Sequence, residues 1–303
     1  MASKSFVHLH THTEFSPLDG MSRVDELFDV AKSMGMPGIA ITDHQGMAAM
    51  IQATKAAKRT GLNFIPGNEA YHVKDAKNAT KRGSDKSIYQ MTLLAKNLQG
   101  YQELLKLNSQ GWENEHIFND KPMIDNDMLA PLAKHLIGTS GCMGSMISQA
   151  LLQEDLVAAE RLIGEHVDIF GKDNYFIEIM SHGMKEDALI IPQQVKLAKR
   201  MGLRLLATND SHYTREDQAH AHEAILAIGT GVTLNDPTPE EGGRRMTFGG
   251  SGYHLRSPEE MRELFPDNEF PGACDNTLLV NEMVNVEIPH EGQPFHLPDY
   301  PLE

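Results

Sequence analysis

The 303 residues carry 27 Lys and Arg against 42 Asp and Glu, a net charge of −15, with 40% hydrophobic residues. That balance excludes a chain that grips nucleic-acid backbones with a basic surface of its own, because phosphates are bound largely through Lys and Arg; the apolar content suits two domains or one large α/β domain. Only two cysteines occur, Cys142 and Cys274, no apolar run reaches the length of a membrane span, and Met1-Ala2-Ser3-Lys4 lacks a signal-peptide apolar region, so a disulfide scaffold and a membrane partner are excluded and a reducing cytoplasm is expected.

In chain order, Phe6 to His10 reads as a first strand running into the alternate histidines His8, His10 and His12. A strand shows alternate side chains on one face, so the three imidazoles are able to point together. Neutral imidazole is the commonest metal ligand. The turn Ser16-Pro17-Leu18-Asp19-Gly20 follows. Val24, Leu27, Phe28, Ala31 and Met34 then mark a helix that Gly35 and Pro37 stop. Further strands are expected over Gly38 to Thr42, Asn63 to Pro66, Met91 to Ala95, His135 to Thr139, Tyr175 to Met180 and Arg204 to Thr208. Between them lie helical segments over Met47 to Thr60, Leu98 to Leu107, Met143 to Leu152, Leu156 to Phe170 and Val195 to Met201.

This alternation predicts an α/β fold with a parallel sheet and right-handed crossovers. Seven strands of similar weight favour a distorted seven-stranded, TIM-like (β/α)7 barrel over residues 1–213. An open doubly wound sheet ranks second, since no G-x-G-x-x-G follows any strand. Past residue 213 the pattern changes: residues 229–252 are rich in Gly, Pro and Thr, a short strand is expected at Tyr253 to Leu255, and helices at Asp217 to Ile228, Pro258 to Leu264 and Asn276 to Val284. Residues 214–290 thus read as a small α+β extension packed on the barrel, and 291–303 as a linker.

The chemistry collects at the strand ends. They carry His10 and His12, then Asp43 and His44, then Gly67-Asn68-Glu69, then Cys142, then Asp210 and His212. In parallel α/β folds the carboxyl ends of the strands share one rim, where active sites are built, so one architecture gathers imidazoles, a thiol and carboxylates at one mouth. Taken singly, Asp43 and Asp210 would serve as helix caps and Cys142 as a small buried residue. His8 reads as a strand residue, because a third ligand from one short strand crowds a metal. His72, at odd spacing from Glu69, belongs to the opposite strand face. His220 and His222 read as structural residues on a helix away from the rim, and His182, after the sixth strand, is a candidate phosphate contact.

The blocks HLHTHTEFSPLDG, GIAITDH, PGNEAY, GTSGCMG, NYFIEIM and ATNDSHY closely resemble the polymerase-and-histidinol-phosphatase (PHP) domain, and more narrowly that domain in the C-family replicative DNA polymerases of bacteria. GYHLRSPEEMRELF and FHLPDYP resemble the segments that lead into the polymerase palm. The resemblance implies a distorted seven-stranded barrel holding up to three divalent metals, zinc or manganese, with magnesium or iron as other options. His10 and His12 match the first pair of nine ligand positions, Asp19 the third, His44 and Glu69 the fourth and fifth, Cys142 the seventh, and Asp210 and His212 the last two. The sixth departs: a histidine is expected where Gln90 stands, and a glutamine carbonyl suits zinc or manganese less well. One metal would take His10, His12, Glu69 and Asp210, another Asp19, His44 and His212, and Glu69 would bridge to a third that uses Cys142.

The activity implied is a metal-dependent 3′-5′ exonuclease proofreading DNA at a primer 3′ end beside the other domains of a replicative polymerase, with His10, His12, Glu69, Asp210, His44 and His212 as its catalytic set. Two alternatives stand beside it. One is a degenerate PHP scaffold that stabilises the polymerase and docks a separate proofreading exonuclease subunit. The other is a small-molecule phosphoesterase or pyrophosphatase. The polymerase palm is not expected within these residues.

Overall fold

The computed structural model describes residues 5–17, 19–78, 87–118 and 120–289. Its elements in chain order are α1 (Val24–Ser33), β1 (Gly38–Ile41), α2 (Met50–Thr60), β2 (Asn63–His72), β3 (Tyr89–Ala95), α3 (Leu98–Gly111), β4 (Ile117–Phe118), β5 (Lys121–Pro122), α4 (Asn126–Leu129), β6 (Leu136–Thr139), α5 (Met146–Leu152), α6 (Leu156–Phe170), β7 (Tyr175–Ile179), α7 (Lys185–Met201), β8 (Arg204–Ala207), α8 (Ala219–Gly229), α9 (Pro258–Leu264) and α10 (Asp275–Met283).

Six strands form one sheet in the order β1-β2-β3-β6-β7-β8. The expected first strand joins its two edges. On one side the Ala40 and Thr42 amides donate to the carbonyls of His8 and Thr11 at 2.8 and 2.9 Å; on the other, Ser211 N donates to His10 O at 3.2 Å and His12 N to Ser211 O at 2.7 Å. Residues 8–12 are therefore the seventh stave of a curled, barrel-like sheet. Its interior is a buried apolar layer with a contribution from every stave: Val7 and Leu9, Ala40, Ile65, Leu94, Ile137, Phe176 and Leu206.

The structure departs from the sequence reading in ways that shape the rim. First, the sheet is not wholly parallel: β3 runs antiparallel to both β2 and β6. Strand β2 continues past Pro66 to His72, and the chain returns alongside it, with no helix between the two strands among the described residues. The start of β3 thereby stands at the rim where its parallel neighbours end, and Gln90 pairs in register with Tyr71. Second, the chain bends at His10, so alternation fails there. Val7 and Leu9 face the apolar interior, whereas His8 turns away and its Nε2 pairs with the Arg256 carbonyl at 2.8 Å. The three alternate histidines do not share a face. Third, α7 begins at Lys185, well before the expected Val195, and contains Pro192. Both Pro192 and Ala188, whose carbonyl loses its donor, lie on the exposed side, where water replaces the bond. Tyr253 to Leu255 makes only the single bridge of His254 to Tyr213, and the β4–β5 hairpin was not expected.

Helix α10 closes the end of the barrel opposite the rim. Val280 and Val284 complete the interior apolar layer. Val7 N donates to Thr277 Oγ1 at 3.1 Å, Asn276 Nδ2 to Leu205 O at 2.8 Å, and Asn63 Nδ2 to Asn281 O at 3.0 Å. A β-carbon at Gly38 would stand 2.8 Å from the backbone carbonyl oxygen of Asn63 and 2.1 Å from Asn281 Oδ1, so the close approach of the neighbouring strand requires glycine there. The expected linker, 291–303, lies outside the described residues. Among the described residues, no helix is long and apolar enough to cross a membrane.

Away from the rim, His72 Nε2 pairs with Asn126 Oδ1 at 2.9 Å and His166 Nδ1 with the Tyr175 hydroxyl at 3.0 Å. The odd spacing of His72 from Glu69 is thus expressed as opposite faces. Burial pushes the two rings from 6.5 down to about 4 and about 3. The unfolded chain therefore binds more protons than the folded one below the ordinary histidine range. The stability these neutral rings contribute is complete above pH 6.5 and is lost as pH falls toward their folded values, roughly 3 kcal/mol per histidine by about pH 4. In denaturant titrations across that window, His166→Gln should lose less stability on acidification than the wild type; parallel losses would show that His166 is not held neutral.

Candidate metal centre

At the rim, the seam between the first stave and β8 sets His10 and His12 against Asp210. Strand β2 brings Glu69 underneath. His10 Nε2 lies 3.3 Å from Glu69 Oε1 and 3.3 Å from Asp210 Oδ1, and His12 Nε2 lies 3.3 Å from Glu69 Oε2 and 3.3 Å from the same Asp210 oxygen. Both Nε2 atoms and Asp210 Oδ1 are buried without a hydrogen-bond partner. Zinc bonds of ~2.0–2.1 Å in a tetrahedron imply ligand-to-ligand edges of about 3.3–3.4 Å, so the spacing and the nitrogen–oxygen donor set fit one divalent cation. Asp210 adopts a left-handed backbone, φ 46°, a strained conformation for a non-glycine residue of the kind that gathers at functional sites.

A second group adjoins the first. His44 Nε2 is 3.0 Å from Asp19 Oδ2, and its Nδ1 is 2.8 Å from Glu69 Oε2. The His12 ring stacks on His212, centroids 4.2 Å apart, and lies 4.3 Å from His44. One nitrogen from each of His12, His44 and His212 falls within 4.8 Å of the others. The electrostatics follow from this crowding. Burial disfavours charge on His44, yet Glu69 and Asp19 lift it to about 10. Against the same burial, Asp210, Glu69 and Glu178 raise His10, and the surrounding imidazoles hold Glu69 and Asp210 far below the carboxylate range. Burial and the neighbouring His12 push His212 down to about 3.

The third corner is different in chemistry. Cys142 Sγ shares its one hydrogen between Glu69 Oε1 at 3.3 Å and Gln90 Oε1 at 3.4 Å, while Gln90 Nε2 donates to Glu69 Oε2 at 3.3 Å. Burial, then Glu69 and Asp210, push the thiol well up. The glutamine amide thus spends both its atoms on the cluster's own groups. Gly144 packs against it, since a β-carbon there would meet Gln90 Oε1 at 2.1 Å.

These groups open into a cavity of about 300 Å³, lined by Asp19, His44, Cys142, Asp210 and His212 and walled by Met143, Met180, Met184, Met246, Phe248 and Tyr253. His182 lines it too: its ring stacks on Tyr253 at 3.7 Å, and its Nδ1 faces Ser251 O at 3.1 Å. All ten residues singled out from the sequence therefore meet at one mouth.

Among known families, the PHP domain matches residues 8–182. The chain belongs to the PHP domain family. It is 37% identical over 300 residues to DNA polymerase III subunit alpha of Saccharopolyspora erythraea, covering 92% of this chain and 24% of that protein. To the subunit of the same name from Thermus aquaticus it is 37% identical over 309 residues, covering 100% and 25%. The chain thus spans about a quarter of the length of these curated relatives. Among solved structures it is similar to a Bifidobacterium adolescentis protein assigned as a metal-dependent phosphoesterase, with TM-score 0.44 and 15% identity over 68% of this chain and 87% of that one.

Several residues that shape this PHP domain's rim escaped the sequence reading. Glu178, on β7, is buried and accepts from His10 Nδ1 at 2.8 Å, from Thr208 Oγ1 at 2.7 Å, and from Thr139 Oγ1. Asp43 caps no helix. It accepts from Thr13 N at 2.7 Å and from Ser16 Oγ at 2.8 Å, and Ser16 Oγ in turn meets His12 Nδ1 at 2.8 Å. His10 and His12 thus each have the Nδ1 hydrogen fixed and Nε2 left bare, the arrangement that orients metal-ligating histidines. His222 is not remote either: its Nε2 donates to Asp19 O at 2.7 Å and its ring lies 5.8 Å from His212. The block NYFIEIM contains Glu178, and a lone charge inside an apolar strand was the signal available for it.

Glu178→Gln should keep the fold while weakening zinc or manganese binding about 10- to 100-fold, read by chelator competition; unchanged affinity would show that the carboxylate does not support His10.

Proposed function

We propose that this PHP domain is a metal-dependent phosphodiesterase of a bacterial replicative polymerase, a relative of DNA polymerase III subunit alpha, and that it removes nucleotides from DNA 3′ ends in the cytoplasm. The observation that carries the reading is that the Nε2 atoms of His10 and His12 each stand 3.3 Å from an oxygen of Glu69 and 3.3 Å from Asp210 Oδ1, and both nitrogens are bare. Two or three divalent cations, zinc or manganese by donor set, would be held by that group, by Asp19, His44 and His212, and by Glu69 with Cys142 and Gln90. Bound there, they supply neutralisation of phosphoryl charge and activation of water near neutral pH.

The chain's own residues do the rest. Glu178 and Ser16 keep the Nδ1 hydrogens of His10 and His12 in place. Glu69, reached from both groups, sets the distance between them. His44 and His212 stand at the mouth as ligands first. No Lys or Arg lines the cup among the described residues, so phosphate charge would have to be met by bound cations, and the methionine and aromatic walls suit a base and sugar. At about 300 Å³ the cup is at the small end of ligand pockets, with room for one nucleotide unit. His182 gives its Nδ1 hydrogen to Ser251 O, and a neutral ring then offers only a lone pair at Nε2, which suits a sugar hydroxyl better than a phosphate oxygen.

Gln90 favours a second reading, in which the third corner has lost its metal and the domain serves the polymerase as a docking scaffold. Metal analysis and a 3′-mismatched primer-template, with manganese or zinc added, separate the two. Nucleotide release with at least two bound metals is expected. Fewer than two and no release would reject the exonuclease and leave the scaffold. Gln90→His should raise metal content at the third corner; an unchanged content would show that position 90 is not a ligand position.

A further inference from the structure

We propose that Glu113, Glu115 and His116 form a divalent-metal site of their own, of zinc type, at the end of α3 and apart from the rim. One ligand atom from each lies within 4.8 Å of the others. Two exposed carboxylates alone would mean little; His116 decides the matter. The residue is 4% exposed, and its Nδ1 meets the Gln110 carbonyl at 2.8 Å. A carbonyl only accepts, so Nδ1 carries the hydrogen and Nε2 the lone pair. That Nε2 is buried without a hydrogen-bond partner and stands 3.5 Å from Glu115 Oε1, beyond ordinary hydrogen-bond length. His116 is thus held as His10 is, with one nitrogen anchored to an acceptor and the other bare and facing carboxylate.

The backbone presents these ligands from a single turn. His116 N donates to Glu113 O at 2.8 Å, and Met123 N to His116 O at 3.1 Å, so the site ties the end of α3 to the β4–β5 hairpin. One imidazole and two carboxylates suit zinc, with water completing the shell. The hairpin also carries Lys121, whose Nζ sits 4.5 Å over the Tyr71 ring, and Tyr71 stacks on His44 with centroids 5.7 Å apart. A cation at His116 would therefore brace the segment that places a positive charge beside the rim. None of this depends on whether the rim hydrolyses DNA.

The probe is zinc alone, added to metal-stripped full chain and followed by calorimetry and metal analysis. Glu113 and Glu115 are exposed, so the double variant Glu113→Gln/Glu115→Gln keeps the fold. It should bind one zinc equivalent fewer than the wild type, and its melting temperature should rise less on zinc addition. In a His12→Ala/Asp210→Asn background, which weakens the rim, the same equivalent should remain and should vanish when the two glutamates are replaced. Equal zinc content with and without Glu113 and Glu115, in either background, would overturn the site and leave His116 as a buried structural histidine anchored to the Gln110 carbonyl.

Discussion

Glu69 is almost wholly buried and has three imidazoles turned toward it, His10 and His12 at 3.3 Å and His44 at 2.8 Å. Removing a carboxylate from water is costly unless cations or donors surround it. Here Glu69, Asp210, Asp19 and Glu178 share one rim, so cations must be present: protons on the histidines, or metals in their place. The rest of the molecule can be understood from that requirement. The bare Nε2 atoms, the anchored Nδ1 atoms and the strained backbone at Asp210 all serve to hold negative charge where a cation can meet it.

The barrel keeps that polar rim apart from an apolar floor. One layer of inward side chains, from Val7 and Leu9 round to Leu206, fills the interior, and Val280 of α10 with Val284 just past its end seals it. The bend at His10 marks the change of regime: before it the inward residues are aliphatic, after it they are the histidines that meet Glu69 and Asp210. The antiparallel β3 serves the same end. Because it runs against its neighbours, its first residues reach the rim, and Gln90 contacts Glu69 and Cys142. The segment from Met246 to Tyr253, distant in sequence, supplies a wall of the cup and secures His182 through Ser251.

Much of the rim was legible in the chain because strand ends in an α/β barrel converge whatever the details of packing. His10, His12, Asp19, His44, Glu69, Cys142, Asp210 and His212 are polar residues placed where apolar runs stop, and that pattern survives errors of several residues in the strand boundaries. The residues that orient them were not legible. Glu178 lies inside a strand instead of at its end. Asp43 reads as a helix cap until the loop at Thr13 to Ser16 folds onto it. His222 lies on a helix whose contact with Asp19 depends on the path of the whole extension.

By itself the sequence determined the family, the strand–helix succession and the residue types at the rim, because these depend on local periodicity and on side-chain chemistry carried along the chain. Only the tertiary structure decided the direction of β3, the bend that parts His8 from His10 and His12, the closure of the floor by α10, and the partners that set each imidazole's hydrogen. These depend on contacts between residues far apart in sequence: His10 with Glu178, Asn63 with Asn281, His222 with Asp19. No local pattern encodes such pairs, since each exists only once the barrel has closed.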